Sequence, residues 1–250
     1  MERRAPAAAQ ALDVLRVISA SVEPVSASHI ARTLGLARST TYYLLDVLIE
    51  HGYVRHHAER RRYGLGIAAH ELGSAYHRQA PLRRMAQPIV NRLVDEAGHN
   101  GHFTGLHGSD VVYLIEERAP GRPVLISEVG VRLPAHLTAS GLAILARLPV
   151  PQVRALFPTK ESFYTRRGLG PQSPTELRRT LTSVRRDGYA FEQGWIMPDL
   201  ASVSAAAVDD NGLPLGSFTL TFPEEHLDDV AGLAALVAQA AERLSERVRH

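Results

Sequence analysis

The chain has 250 residues, of which 45% are hydrophobic, and this is enough for two ordinary domains with their own cores. It contains no cysteine, which excludes disulfide bridges and thiolate metal sites, and no apolar run approaches the roughly 18 to 20 residues of a membrane helix. The N-terminus, MERRAPAAAQALDVL, lacks the strong apolar core of a secretory signal peptide. We therefore expect a soluble cytoplasmic protein.

The charge is unevenly distributed, although the formal net charge is only +2. Residues 1–80 carry ten arginines and seven acidic residues, whereas the remainder carries 18 basic and 19 acidic residues. The basic excess lies in the N-terminal third, where a DNA-contacting module would place it. Because the excess is small, it indicates DNA binding only in combination with a motif.

The stretch from Ser26 to Gly52 predicts two helices separated by a tight turn at Gly35. Around the turn, apolar residues recur at helical spacing: Ile30, Ala31, Leu34, Leu36, Leu44, Leu45, Leu48 and Ile49. This pattern is typical of a helix-turn-helix whose second helix faces a DNA major groove. We expect Arg38 to contact phosphate. The side chains that we expect to contact bases, or to lie near them, are Ser39, Thr40, Tyr42 and Tyr43.

A β-hairpin with a charged tip is predicted directly after Gly52, over residues 53–65. Its tip contains Arg60, Arg61 and Arg62, which are too costly to bury without partners. An isolated arginine run would favour a solvated turn. Beside a helix-turn-helix, however, the hairpin is in the position of a wing, and we expect all three arginines to contact phosphates.

The residues after the wing, Gly64-Leu65-Gly66-Ile67-Ala68-Ala69, also fit the dinucleotide-binding pattern GxGxxA. The preceding strand is arginine-rich rather than apolar, and no acidic residue ends a second strand about 20 residues later. We therefore interpret these glycines as the end of the wing and the start of a connecting helix. The predicted domains are a winged helix-turn-helix over residues 1–66, a linker helix over 67–80 and a sensor domain over 81–250, with Pro81 at the boundary.

The second half of the chain predicts helices and strands in mixed order. First come a helix over residues 82–97, strands over 102–107, 111–116 and 124–129, a loop over 130–141 and a helix that ends at 146. Helices over 150–156 and 174–187 follow, then strands over 189–193, 201–209 and 215–222, and an amphipathic helix that starts around Leu227. The chain is therefore predicted to be an α+β protein whose C-terminal α/β domain contains an antiparallel sheet.

Several short segments, in this order and spacing, together resemble the IclR family of bacterial transcription regulators from about Ala11 to Arg247. They are Ala11-Leu12-Asp13-Val14-Leu15, Gly35-Leu36-Ala37-Arg38-Ser39-Thr40, Tyr63-Gly64-Leu65-Gly66, Pro134-Ala135-His136, Ala139-Ser140-Gly141, Leu145-Ala146 and Gly188-Tyr189-Ala190. The resemblance implies a winged helix-turn-helix joined to a GAF-like sensor of a small-molecule effector, in homodimers or homotetramers that repress or activate nearby genes. A dimer would place two recognition helices in successive major grooves of a palindromic operator, about 34 Å apart.

The effector pocket of that family maps here onto Ala139, Ser140, Glu192, Leu200, Ser202, Thr219 and Thr221. Thr219 and Thr221 are two residues apart, so their hydroxyls lie on the same face of a strand. Backbone amides near Ser140 lie at a predicted helix start, which suits a carboxylate. Short hydroxyl side chains around an apolar cavity would orient a small organic or aromatic acid. Taken alone, the same residues also fit ordinary strand packing.

The chain departs from residues that are common in the family. Leu142 stands in place of a common Lys, Asp199 in place of Gly, Ser202 in place of Cys and Ala206 in place of Pro. In the recognition helix, Thr41-Tyr42-Tyr43 stands in place of an aliphatic residue, His and Arg, so an arginine that could pair with guanine is a tyrosine here. The identity of the effector and the operator sequence are therefore left open.

The sequence predicts no metal site, cofactor or catalytic site. Four histidines could supply nitrogen ligands, but without His-Glu-x-x-His or a similar spacing: His99, His102, His107 and His136. Ser140, His136 and Asp110 could form a hydrolase triad, but the segment around Ser140 lacks the G-x-S-x-G elbow. The leading hypothesis is an effector-controlled regulator, in particular a repressor. The alternatives are an effector-independent DNA-binding protein and an enzyme with an accessory winged helix.

Overall fold

The computed structural model describes residues 5–79, 81–121, 129–165 and 167–249. The chain folds as two compact units, 1–80 and 81–250, each with its own buried apolar residues. Among the residues described, no helix is both long enough and apolar enough to cross a membrane.

The N-terminal unit is a helix-turn-helix followed by a β-hairpin. Its elements are α1 (Pro6–Ser19), α2 (Ala27–Leu34), α3 (Arg38–Glu50), β1 (Val54–His57), β2 (Arg62–Leu65) and α4 (Ile67–Gln79). The Ser26 side chain caps α2 by accepting a hydrogen bond from the His29 amide at 3.2 Å. Gly35 ends α2 at a φ of 64°, a left-handed conformation that favours glycine. The turn between the two helices is therefore encoded locally.

In the described part of the C-terminal unit, six strands form an antiparallel sheet with the order β5-β4-β3-β8-β7-β6. The strands are β3 (Asn100–His107), β4 (Asp110–Glu117), β5 (Arg132–Pro134), β6 (Ala190–Gln193), β7 (Leu200–Val208) and β8 (Pro214–Pro223). The helices are α5 (Pro81–Ala97), α6 (Ala139–Arg147), α7 (Val150–Leu156), α8 (Pro174–Asp187) and α9 (Val230–Arg249).

The two faces of the sheet differ in polarity at its centre. On β7 and β8, one set of alternate residues packs with α5 and α9 in an apolar core: Ala201, Val203, Ala205, Ala207, Phe218, Leu220 and Phe222. Side chains alternate along a strand, so the intervening residues lie on the opposite face, the face of α6: Ser202, Ser204, Ser217, Thr219 and Thr221. A buried polar surface therefore lies beneath α6.

Two sequence-based boundaries were wrong. Leu227 fits the apolar spacing of the last helix, but it lies in a 3₁₀ segment, Glu224–Asp229, because the backbone of His226 is non-helical, and α9 begins only at Val230. Arg132–Pro134, expected in a loop, forms the short strand β5 beside β4, and three residues are too few to show an alternating pattern. The sequence predicts a further strand over residues 124–129. Residues 124–128 lie outside the described residues, and Val129 lies in a turn.

Candidate functional site

Helix α3 has one face in the core and one face exposed. Its buried residues are Thr41, Leu44, Leu45 and Leu48. Its exposed residues are Arg38, Ser39, Tyr42, Tyr43, Asp46 and Glu50. The side chains of Tyr42 and Tyr43 are 46% and 67% exposed, so the core does not account for these two aromatic rings. Of the five residues predicted to contact DNA from this helix, four are exposed, and Thr40 is half-buried.

The start of α3 leaves its first backbone amides without a capping side chain. Ala37 occupies the N-cap position and supplies no side-chain hydrogen bond to the helix. The first amides of a helix have no intrahelical acceptor, so the N–H groups at this end are available to a phosphate oxygen. Arg38 lies beside them as the first helical residue. This end of the helix therefore combines amide dipoles with a guanidinium.

The three consecutive arginines of the hairpin after α3 differ in their surroundings, although the sequence gives all three the same predicted role. The tip consists of a 3₁₀ turn, Ala58–Arg60, followed by Arg61 in a left-handed conformation with a φ of 50°. Arg60, Arg61 and Arg62 are all exposed. Arg62 Nη1, however, donates a hydrogen bond of 3.0 Å to the Pro24 carbonyl. Arg62 therefore ties the hairpin to the segment before α2, whereas Arg60 and Arg61 occupy the tip.

In the C-terminal unit, a cavity of about 30 Å³ lies against the polar face of the sheet, with room for about two water molecules. It is bounded by the start of α6 and by the segment that connects β6 to β7. The seven residues predicted as an effector pocket all line this cavity: Ala139, Ser140, Glu192, Leu200, Ser202, Thr219 and Thr221. The fold thus brings together residues that are up to 82 positions apart in the sequence, from Ala139 to Thr221.

Two rows of polar side chains cross the floor of the cavity. In the first row, Glu192 on β6 pairs in register with Ser202 on β7, and Ser202 pairs with Thr221 on β8. Ser202 Oγ and Thr221 Oγ1 are 3.1 Å apart. In the second row, Ser204 Oγ and Thr219 Oγ1 are 2.8 Å apart. These hydrogen bonds fix the positions of the hydroxyls across neighbouring strands.

The start of α6 presents backbone amides to the same cavity. Thr138 is the N-cap, and its Oγ1 accepts a hydrogen bond from the Gly141 amide at 3.0 Å. A Cβ atom on Gly141 would lie 2.1 Å from the Ala135 carbonyl oxygen, so this close contact requires glycine. The amides of Ala139 and Ser140 belong to the first turn and have no intrahelical acceptor. Ser140 Oγ is buried, and no described atom meets it with ordinary hydrogen-bond geometry.

Glu192 is the acidic residue of the cavity and is only 5% exposed. Its Oε2 accepts a hydrogen bond from the Trp195 amide at 3.1 Å. Burial raises the pKa of Glu192 to about 7, and the charge of Glu224 adds to this rise, while bonds from Ser202 and Trp195 oppose it. None of the described residues that line the cavity is Lys or Arg, so no cation there offsets the burial. Near neutral pH, Glu192 therefore changes between a hydrogen-bond donor and an acceptor.

Tyr113 contributes a hydroxyl that remains protonated. Burial raises the pKa of Tyr113 well above its usual value, opposed by an interaction with the Ser140 hydroxyl. The ring of His102 packs edge-on against Tyr113, with ring centroids 5.3 Å apart. Burial lowers the pKa of His102 to about 4, so this histidine is neutral at physiological pH. Tyr113 and His102 are therefore polar but uncharged at physiological pH.

The segment between β6 and β7, residues 194–199, forms a roof over the cavity. Ile196 and Met197 supply apolar side chains to the lining. Arg167 Nη1 donates to the Gly194 carbonyl at 3.0 Å and holds one end of the roof from outside. At the other end, Asp199 adopts a left-handed φ of 62°, a conformation that explains why glycine is common there in the family that the sequence resembles.

The sequence did not predict five of the lining residues: Tyr113, Leu133, Thr138, Ile196 and Met197. Tyr113 and Leu133 lie on neighbouring strands whose register the sequence does not show. A usable signal did exist for Ile196 and Met197, because three large apolar residues, Trp195, Ile196 and Met197, follow Gly194 in a turn-rich stretch that ends at Pro198. Apolar side chains in such a loop need a surface to cover.

The described residues contain no group of three or more His, Asp or Glu side chains that could hold a metal ion. His136 Nε2 lies 2.8 Å from the Tyr164 carbonyl oxygen, and its ring packs against Phe157 and Phe163. His136, the histidine considered for a hydrolase triad, therefore contacts the Tyr164 backbone and packs within an aromatic cluster.

Comparisons with known proteins agree with this geometry. The model of the bacterial transcriptional regulator IclR C-terminal domain matches residues 74–246, and that of the IclR helix-turn-helix domain matches residues 7–58. The transcriptional repressor IclR of Escherichia coli (strain K12) is 28% identical over 239 residues, which cover 94% of this chain and 86% of that protein.

Solved structures share the fold over nearly the whole chain. An IclR transcriptional regulator from Alicyclobacillus acidocaldarius superposes with a TM-score of 0.82 at 21% identity, covering 98% of this chain and 99% of that one. An IclR homolog from Microbacterium hydrocarbonoxydans, complexed with 4-hydroxybenzoate, superposes with a TM-score of 0.79 at 22% identity, covering 97% and 98% of the two chains. The matched family models cover both units, and the chain therefore belongs to the IclR family of bacterial transcriptional regulators.

Proposed function

We propose that this DNA-binding regulator is a repressor whose operator binding is controlled by a small organic or aromatic acid held in the cavity beneath α6. The main support is the chemistry of the lining: hydroxyls in fixed positions, backbone amides at a helix start and an apolar roof lie around one space. Few convergent polar groups on an apolar wall are typical of small-molecule sites.

The start of α6 is the proposed site for the carboxylate. The amides of Ala139 and Ser140 and the hydroxyl of Ser140 are donors that a carboxylate can accept from, and the helix dipole favours a negative charge at this end. Apolar atoms of the effector would contact four side chains of the wall and roof: Leu133, Ile196, Met197 and Leu200.

Glu192 is the proposed contact for a second polar group of the effector. A hydroxyl placed near this residue could donate to the carboxylate form or accept from the acid form, whereas a second carboxylate would be repelled. The homolog that binds 4-hydroxybenzoate provides a chemical parallel, because that ligand carries one carboxylate and one hydroxyl. We infer that the effector of this chain combines the same two groups.

Effector binding would require the roof to move. A cavity of about 30 Å³ is too small for an organic acid, so residues 194–199 would have to shift outward. The roof is held from outside by the bond between Arg167 and the Gly194 carbonyl and by the bond from the Glu224 amide to the Asp199 carbonyl. A ligand that breaks or preserves these bonds would select between two positions of this segment.

On DNA, α3 is proposed to enter the major groove, with the arginines of the wing on adjacent phosphates. Among its described residues, the N-terminal unit exposes five large aliphatic side chains: Leu12, Val22, Leu65, Ile67 and Leu72. Exposed apolar residues of this kind suit association with a second copy. We therefore propose a homodimer, alone or as a dimer of dimers, on a palindromic operator in the cytoplasm.

The test is a dye-monitored thermal-shift screen of the full chain with small carboxylates and aromatic acids, including 4-hydroxybenzoate. A binder present at 100 times its Kd should stabilise the C-terminal unit by about 2.7 kcal/mol. Thr221→Val should reduce this stabilisation, because it removes a hydroxyl from the cavity floor. Thr182→Val, on the exposed side of α8, is the matched control and should leave it unchanged. If a compound stabilises Thr221→Val as much as it stabilises Thr182→Val, its binding site lies outside this cavity.

A further inference from the structure

Asp46 lies in the middle of the exposed face of α3. It follows Ser39 by seven residues, which is about 20° around a helix with roughly 100° per residue. Ser39, Tyr42, Tyr43 and Asp46 thus have the spacing i, i+3, i+4, i+7 and share one face, and all four are exposed. The opposite face is buried through residues such as Leu44 and Leu48. An acidic side chain therefore projects from the surface proposed to enter the major groove.

No contact among the described residues accounts for this carboxylate. Within the described parts of the chain, no ion pair or hydrogen bond engages Asp46. Burial raises the pKa of the Tyr63 hydroxyl, and Tyr42 and Asp46 raise it further, so the nearby Tyr63 offers no positive charge to this carboxylate. A carboxylate near the DNA backbone is repelled by the phosphates. Its position on this face is therefore unfavourable unless a hydrogen-bond donor on a DNA base offsets the repulsion.

The distance along α3 from Ser39 to Asp46 is suitable for contacts with different base pairs. Seven residues rise about 10.5 Å, which corresponds to roughly three base-pair steps of 3.4 Å. Homeodomains use four recognition-helix residues at this same spacing to contact bases. Ser39 and Asp46 can therefore face different base pairs of one half-site while Tyr42 and Tyr43 lie between them.

We propose that Asp46 is a specificity-determining residue that accepts a hydrogen bond from the amino group of a cytosine in the major groove. Guanine and thymine present acceptor oxygens at this edge, and adenine adds the acceptor N7 next to its amino group, so a carboxylate disfavours all three. The inference rests on the proposed insertion of α3 into DNA and adds a base preference that Ser39, Tyr42 and Tyr43 do not supply.

The experiment is selection from a random DNA library by the full chain and by Asp46→Asn and Asp46→Ala. The wild type should enrich cytosine at one position of each half-site. Asp46→Asn should enrich adenine there, because an amide can pair with both N6 and N7 of adenine, and Asp46→Ala should accept any base. The other positions of the motif should stay the same. Replacing the cytosine should weaken wild-type binding roughly tenfold or more and should affect Asp46→Ala by less than about twofold.

Glu23→Gln is the matched control, because Glu23 is an exposed acid of the N-terminal unit that lies outside α3. It should enrich the wild-type motif. If both Asp46 variants enrich the wild-type motif and bind every sequence more tightly, then Asp46 only repels phosphate and the inference is wrong. If the wild type itself enriches no sequence, operator binding through α3 is wrong as well, and this outcome is distinct from the first. Because Asp46 is exposed, circular dichroism should show the same fold in all four proteins.

Discussion

At the scale of single residues, Glu192 shows how the fold changes the chemistry of an ordinary side chain. In the sequence it is one of 26 acidic residues, and nothing local distinguishes it. In the structure it is buried beneath the roof, and burial, with help from Glu224, raises its pKa to about 7. The protonation of this one group therefore couples the stability of the C-terminal unit to pH.

The direction in which stability changes with pH follows from the protonation of Glu192 in the folded and the unfolded chain. Between the pKa of an unfolded glutamate, about 4.3, and the folded value of about 7, the folded chain keeps a proton that the unfolded chain has lost. The free energy of unfolding therefore falls as pH rises through this window and levels off above it. At about 1.4 kcal/mol for each pKa unit, the total loss is roughly 4 kcal/mol.

Glu192→Gln should remove this dependence. Relative to the wild type, the variant should gain roughly 2 to 4 kcal/mol of stability between pH 5 and pH 8, because glutamine does not titrate. Urea unfolding at several pH values measures this gain, and the single tryptophan, Trp195, reports the unfolding of the C-terminal unit. Glu246→Gln, an exposed site on α9, is the control. Parallel curves for the wild type and Glu192→Gln would contradict the buried, protonated state.

At the scale of elements, the wing divides its three arginines between two roles. Arg62 is held by the Pro24 carbonyl, whereas Arg60 and Arg61 form the tip. Tip arginines that contact phosphates contribute to the salt dependence of DNA binding but not to base preference. The hairpin should thus set affinity, and α3 should set sequence preference.

Removing both tip arginines should make the negative slope of log K against log salt shallower by about 1.8, or about 0.9 for each phosphate that is no longer neutralised. The double variant is Arg60→Ala with Arg61→Gly, because glycine avoids strain at the left-handed φ of 50°. Arg62→Ala should also flatten the slope and should additionally destabilise the N-terminal unit, since it removes the bond to Pro24. Fluorescence anisotropy at several salt concentrations measures the slopes, with the exposed Arg179→Ala as control. An unchanged slope in the double variant would exclude phosphate binding by the tip.

At the scale of the whole molecule, the proposed regulation requires the two compact units to communicate. The cavity lies entirely in the C-terminal unit, and α3 lies entirely in the N-terminal unit. A ligand that controls DNA binding must therefore bind with different affinities to the DNA-competent and DNA-incompetent states. Linkage makes the effect reciprocal, so DNA must change the affinity for the ligand by the same factor.

A binder found in the thermal-shift screen should change operator affinity by about 5- to 150-fold, which corresponds to a coupling of roughly 1 to 3 kcal/mol. Anisotropy with and without the ligand measures this factor, and calorimetry with and without operator DNA measures its reciprocal. The two factors should agree. If saturating ligand leaves DNA affinity unchanged, the chain is an effector-independent DNA-binding protein, whatever the cavity holds.

The sequence by itself determined the helices, their ends and the short family segments, because each of these depends on residues that are close together in the chain. Gly35 ends α2 in a conformation that glycine favours, as the sequence predicts, and the Ser173 side chain caps α8 by accepting a hydrogen bond from the Glu176 amide. These features depend on the chain within a few residues, so periodicity and capping residues reveal them. The resemblance to the IclR family was confirmed for the same reason, since its short segments recur in a fixed order.

The tertiary structure decided what depends on distant partners. Strand register joins Glu192, Ser202 and Thr221 into one row, and packing beneath the roof sets the pKa of Glu192. The bond from Arg62 to Pro24 distinguishes residues that look equivalent along the sequence. Burial, register and hydrogen-bond partners are properties of the space around a residue, and that space is filled by side chains whose separation in sequence carries no local signal.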